Sequence, residues 1–159
     1  MEQYVIFMSH QQLFAIRVMD VDRVIEARNF IHLPETEEHI LGVYEYQESM
    51  IPIIDIRKKL FKEFSQHKDE SKVIIGQWNQ QLLGLFVEDI KGIYFLEETN
   101  YEQDLIRSSL KQSYIEKFLK LDNEVVMLLA LDYLFDHNDL QQVSELLDAG
   151  DDNYGEING

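Results

Sequence analysis

A repeat constrains this chain before any other feature does. Gln11-Gln12-Leu13-Phe14-Ala15-Ile16-Arg17-Val18 matches Gln80-Gln81-Leu82-Leu83-Gly84-Leu85-Phe86-Val87 at a constant offset of 69 residues. At the same offset Asp20-Val21 meets Asp89-Ile90, and Val24 meets Ile93. A Val-Ile pair precedes each copy, at Val5-Ile6 and Val73-Ile74. Each half closes on an apolar strand, an aspartate and a helical segment, at Ile54-Asp55 and Leu131-Asp132. Self-similarity at a fixed period marks a fold assembled twice from one unit. A chain of 159 residues has room for about one domain. The two copies are therefore two small halves of it, joined by the polar stretch 64–71.

The unit is rich in β-structure. Tyr4–Met8, the polar Ser9–Gln12 and Leu13–Ile16 read as a hairpin of two buried strands. Further apolar runs occur at 40–46, 50–54, 73–78, 82–87, 90–96, 114–121 and 125–131. They are short and rich in Val, Ile, Phe and Tyr, as strands are. Many are apolar throughout rather than alternating, which points to burial on both faces or to barrel closure. Two small barrels follow from the spacing. Helices are fewer. The 56–64 segment sets Ile56, Leu60, Phe61 and Phe64 along one side, with its four cations turned away. The 131–147 segment repeats apolar residues at helical spacing, with Asp139 as a cap in mid-course and Gln142 three residues on. Asp20 and Asp22 are expected to cap a helix start. Residues 149–159 read as an acidic, disordered tail.

Charge and composition exclude several function classes. With 30 acidic against 14 basic residues the net charge is −16. Nucleic-acid binding needs clustered Lys and Arg to neutralise phosphates, and an anionic membrane surface would repel the chain. An apolar share of 45% argues against disorder. The absence of cysteine removes disulfides, thiolate catalysis and Cys-based metal sites. Met1-Glu2-Gln3 is no basic signal region, and no apolar run approaches a membrane span. A cytoplasmic protein is expected.

Catalytic constellations do not assemble. Histidines 10, 32, 39, 67 and 137 lack metal-ligand spacing, and His10 and His67 read as surface residues. Gly76, Gly84 and Gly92 are isolated in or beside strands, where they mark bulges or close packing rather than a phosphate loop. The 148–159 tail lacks the bidentate Glu of a calcium loop. No cofactor and no metal is expected, and the chain is not an enzyme. What remains is surface. Glu35, Glu37, Glu38, Glu45 and Glu48 crowd a stretch without Lys or Arg, around the aromatic strand Leu41–Tyr46. An acidic rim beside such a strand is suited to docking a basic partner.

Several blocks, in order, resemble the CheW-like family of bacterial chemotaxis coupling proteins. Val5-Ile6-Phe7, Phe14-Ala15-Ile16, Val21 and Val24 resemble its first hairpin and the segment after it. Leu33-Pro34, Leu41-Gly42-Val43 and Ile51-Pro52-Ile53-Ile54-Asp55-Ile56-Arg57 resemble its most recognisable block. Lys72–Ile75, Gly84–Val87, Tyr114-Ile115 and Leu129–Asp132 resemble the second-half signatures. The likeness covers about residues 4–135. It implies a mainly β fold of two five-stranded SH3-like barrels packed as a pseudo-repeat, with short helices and a C-terminal helix. The domain would span 1–148, its barrel halves lying roughly at 12–66 and 71–135, with the N-terminal strand and C-terminal helix completing them.

The resemblance also implies a function. Such proteins are adaptors that bridge chemoreceptor cytoplasmic tips to the regulatory domain of a histidine kinase, receptors binding in a groove between the barrels. Where the family carries Asn-Leu-Arg-Gly this chain has Glu45-Tyr46-Gln47-Glu48, and a common Val-x-Glu-Ile becomes Val21-Asp22-Arg23-Val24. The expected protein-binding residues are Val21, Arg23, Val24, Gly42, Tyr44, Tyr46, Gln47 and Glu48. The departures point to a pathway-specific variant as the alternative, for example in a type IV pilus chemosensory system.

Overall fold

Runs that are apolar on both faces become strands with a core on each side. The computed structural model describes residues 2–78, 80–99 and 114–134. In chain order these form β1 (Gln3–Ser9), β2 (Gln12–Arg17), a 3-10 turn (Val18–Asp20), β3 (Val21–Ile25), β4 (Ile40–Tyr46), β5 (Ser49–Asp55) and α1 (Ile56–Phe61). There follow β6 (Lys72–Trp78), β7 (Gln81–Val87), β8 (Asp89–Phe95), β9 (Glu97–Glu98), β10 (Ile115–Leu121), β11 (Glu124–Leu129) and α2 (Leu131–Leu134). Of the expected 131–147 helix, the turn at 131–134 lies within the described residues. Its remainder and the 149–159 tail lie outside them.

The strands make two sheets, ordered β8-β1-β2-β11-β10-β9 and β3-β6-β7-β5-β4. Leu96 alone separates β8 from β9, so the ends of the first order are one bent strand and that sheet closes into a five-stranded barrel. The second closes through Ile31, whose N–H donates to the Val43 carbonyl at 2.9 Å and whose carbonyl accepts from the Val43 N–H at 2.8 Å. Each sheet mixes strands of both sequence halves. The β1–β2 hairpin sits between β8 and β11, and the β6–β7 hairpin between β3 and β5. The division into 12–66 and 71–135 therefore describes the repeat and not the barrels: each copy lends its first hairpin to the other. Parallel pairing of β2 with β11 and of β5 with β7 makes the join.

Strand alternation then builds three cores. Tyr4, Ile6, Leu13, Ala15, Leu119 and Leu128 fill the first barrel. Ile51, Ile53, Val73, Ile75 and Phe86 fill the second. The opposite faces of the same strands, with Val5, Phe7, Phe14, Ile54, Ile74 and Leu85, meet in a shared core between the barrels. Burial of this kind is worth about 1.5–3 kcal/mol per large side chain, and here both faces of a strand contribute. Gly84 is required where β7 crosses the second interior, since a Cβ there would lie 2.6 Å from Ile53 Cδ1. The β1–β2 and β4–β5 hairpins turn on two residues each, His10-Gln11 and Gln47-Glu48, all four at positive φ. That is the geometry of turns whose twist matches the strands.

Three local expectations change. Asp20 and Asp22 start no helix: Asp20 ends the 3-10 turn and Asp22 lies in β3. Helix α1 stops at Phe61 because Lys62 adopts the left-handed conformation, so Phe64 leaves the apolar stripe and is exposed. The α1 cations do not all face water either. Arg57 reaches Glu88 at 3.0 Å and Glu63 at 2.8 Å.

Candidate functional site

The predicted binding residues separate into framework and surface. Gly42 is buried at a β-bulge with φ +147°, where a Cβ would meet the Ile31 carbonyl oxygen at 2.4 Å. Tyr46 lines the interior of the second barrel. Its hydroxyl emerges to donate to Asp22, which raises the phenol above its ordinary pKa, burial adding to the effect. Val21 packs on the shared core. Tyr44 is half-buried and set edge-on to Phe30, with centroids 6.4 Å apart. Arg23, Gln47 and Glu48 are exposed, and Val24 is at the margin of exposure. The Tyr46–Asp22 bond places β3 beside the strand that leads into the Gln47-Glu48 turn. These two predicted segments thus form one surface.

The seam between the barrels carries two cavities whose lining residues are not among the expected binding residues. One, of about 450 Å³, has Arg17, Asp20, Trp78, Glu116, Leu129 and Asp132 in its walls. Arg17 Nη1 and Nη2 donate to the two Glu116 carboxylate oxygens at 2.6 and 2.5 Å, and Nε donates to Glu2 at 3.1 Å. This bidentate clamp raises the guanidinium pKa further. Burial pushes the Asp20 carboxyl up, and Asp132 and Glu116 add to it. The other, of about 490 Å³, is walled by His10, Arg57, Lys68, Glu70, Glu88 and Asp89.

Glu88 organises that second wall. Its carboxylate accepts from the His10 N–H at 2.8 Å, from the Gln66 N–H at 3.2 Å and from Arg57 Nη1 at 3.0 Å. Burial would raise its pKa, but these donors outweigh burial and hold the carboxyl below its usual value. One side chain thereby ties the β1–β2 turn, the 62–71 connector and α1 to the start of β8. His10 lies tilted against Phe61 with centroids 4.6 Å apart, and His67 stacks on Phe86 at 4.4 Å. Both surface histidines thus anchor loops. The signal for this hub was the Glu88 position itself, directly after an apolar strand. Its partners are too distant in sequence to have been inferred.

Among the described residues no three His, Asp or Glu side chains are placed to hold a metal ion. No helix there is long and apolar enough to cross a membrane. Two barrels sharing one core, with charged seams and exposed turns, define a mainly β domain. The family model described as a CheW-like domain matches residues 3–139, and the chain belongs to that family of chemotaxis adaptor domains. A chemotaxis protein CheW of Helicobacter pylori is 19% identical over 63% of this chain and 61% of its own length. The chemotaxis protein CheW of Bacillus subtilis is 23% identical over 88% of this chain and 90% of its own. The crystal structure of the scaffolding protein TtCheW from Thermoanaerobacter tengcongensis superposes with a TM-score of 0.73, at 22% identity, covering 87% of this chain and 90% of that one.

Proposed function

We propose that this chain is a non-catalytic, cytoplasmic coupling protein that joins chemoreceptor cytoplasmic tips to the regulatory domain of a histidine kinase. The observation that carries this reading is the family match across 3–139, which includes every described strand of both barrels. The seam cavities and the β3 and β4–β5 surface are the places for two partners on one rigid body. A scaffold works by holding both at once, and the shared core supplies the rigidity. Calorimetric titration with a receptor-tip fragment and with a kinase regulatory domain tests it. Binding of both, each without displacing the other, is expected. Failure to bind either defeats it.

The surface at Gln47 and Glu48 favours a second, narrower reading in which the partner is matched to this chain's own charges. Glu45, Gln47 and Glu48 are exposed around the turn and Asp22 stands across from Tyr46. A rim of this sign selects a basic contact and repels an acidic one. Gln47→Arg combined with Glu48→Gly should move binding toward partners of ordinary coupling proteins. Unchanged binding in the double variant would remove this reading and leave the first intact.

A further inference from the structure

The two seam cavities are mates under the internal repeat, and their charges differ. Ile53 of β5 pairs with Gly84 of β7 as Leu128 of β11 pairs with Ala15 of β2. The second hairpin of each half, with the helix after it, therefore corresponds at an offset of 75 residues, while the first hairpins correspond at 69. Met8, Arg57 and Asp89 in the walls of one cavity stand where Gln77, Asp132 and Asp20 stand in the other. The Arg57 cavity holds its own cations: Arg57 reaches Glu88 at 3.0 Å and Lys91 reaches Asp89 at 3.0 Å. In the mate, the position of Arg57 is Asp132 and that of Lys91 is Asp22. Arg17 is the only cation among the described residues that wall it, and Glu116 and Glu2 hold that guanidinium. Its pull on Asp20 is outweighed by burial and by the charges of Asp132 and Glu116, which push the Asp20 carboxyl up. Glu88, bound by three donors in the Arg57 cavity, corresponds to Met19, which adjoins Asp20 and is 82% exposed.

We propose that the Arg17 cavity receives an arginine side chain from a partner protein, its guanidinium between Asp20 and Asp132. The partner supplies the cation that the mate cavity carries in its own chain. A guanidinium suits two carboxylates better than an ammonium does, because its rigid fork of five N–H groups can donate to both. The cavity, at about 450 Å³, has room for the side chain, and Leu129 and Leu131 in its wall offer apolar surface to the methylene stem. Met19 outside it is an adaptable apolar contact for the partner's backbone and neighbouring side chains. The net charge of −16 draws basic segments toward this chain. The source of the arginine rests on the coupling function proposed above.

Trp78, the chain's only tryptophan, stands in the same wall and reports occupancy by fluorescence. Titration with N-acetyl-L-argininamide should change its emission saturably, and the neutral isostere N-acetyl-L-citrullinamide should not. Argininamide should also lower the Asp20 carboxyl pKa, read by carbon-13 NMR, since a nearby cation favours the charged form. Asp20→Asn combined with Asp132→Asn should weaken argininamide binding about tenfold, as loss of charge-assisted hydrogen bonds does. Asp132→Arg installs the cation of the mate cavity and should abolish binding with an unchanged circular dichroism spectrum. In calorimetry with a receptor-tip fragment and a kinase regulatory domain, Asp132→Arg should weaken one of the two about tenfold and spare the other. Equal responses to argininamide and citrullinamide, unaltered argininamide affinity in the double variant, or parent-like binding of both partners by Asp132→Arg would each overturn the proposal. Argininamide binding by a parent chain that binds neither partner would defeat the coupling function and uphold the guanidinium site.

Discussion

Tyr46 Oη donates a 2.5 Å hydrogen bond to Asp22 Oδ2, joining the two outermost strands of the five-stranded sheet. With the Ile31–Val43 pair it closes the second barrel, where the first barrel closes by continuity of its own chain. The ring of Tyr46 belongs to the interior and its oxygen to the surface shared with β3. Tyr46→Phe separates these roles. It should keep the packing and lose about 1 kcal/mol, read as a lower urea midpoint with unchanged slope. Amide exchange should quicken in 21–25 and 44–46 and nowhere in the first barrel. Uniform acceleration throughout would contradict the closure.

Glu88 gives stability a pH dependence of defined sign. Its carboxyl ionises below the ordinary glutamate value of about 4.3, because the His10 and Gln66 amides and Arg57 hold the charged form. A folded pKa below the unfolded one adds stability above the unfolded value and loses it as pH falls through the folded value. Glu88→Gln should cost about 2 kcal/mol at pH 7 and progressively less below pH 4. Chemical unfolding of parent and variant across that range checks it, and a pH-independent difference would contradict it.

Asp55 is fully buried at the end of β5 and accepts three hydrogen bonds: from Lys58 N at 3.2 Å, Ser65 N at 2.9 Å and Ser65 Oγ at 2.6 Å. It caps α1 and fastens the connector between the halves. Asp55→Ala orphans three donors in a dry site and should destabilise the fold by about 3 kcal/mol. Proteolysis should then begin within 62–71. A cut elsewhere first would contradict the fastening.

Gly42 cannot accept a side chain. Its φ of +147° and the Ile31 carbonyl oxygen 2.4 Å from an added Cβ combine strain with a clash against backbone. Gly42→Ala should cost about 2–4 kcal/mol and disrupt the Ile31–Val43 bridge. Thermal unfolding alongside Gly92→Ala provides the comparison. At Gly92 the neighbour is the exposed Tyr94 ring, which can move, so the loss should be smaller.

Strand positions were legible because burial on both faces writes itself as unbroken apolar runs such as Val73–Trp78 and Leu82–Val87. Pairing was not legible. Nothing local in Leu13–Ile16 says that its neighbour is Met127-Leu128, since a parallel join depends on packing across the whole domain. β3 was missed because Asp22-Arg23 interrupts its apolar pattern, each charge standing on an exposed position. The turns at His10-Gln11 and Gln47-Glu48 lack the Asn-Gly signature of their geometry. At the binding surface, residue type alone could not separate Tyr46 and Gly42, which hold the barrel, from Arg23 and Glu48, which face water.

The exchange of hairpins between the halves governs how the chain is made. Phe14 pairs with Met127 and Ala15 with Leu128, so the first hairpin leaves the ribosome long before the strand that covers it exists. Pairings this remote are slow to form and leave apolar edges open meanwhile. A product terminated before β11 would carry Ile6, Leu13 and Ala15 without Val126 and Leu128, which pack with them inside the first barrel. Biosynthesis of this protein therefore proceeds in two stages: the second barrel, built from residues 21–87, has all its strands by Val87, whereas the first cannot close until β11 has been made.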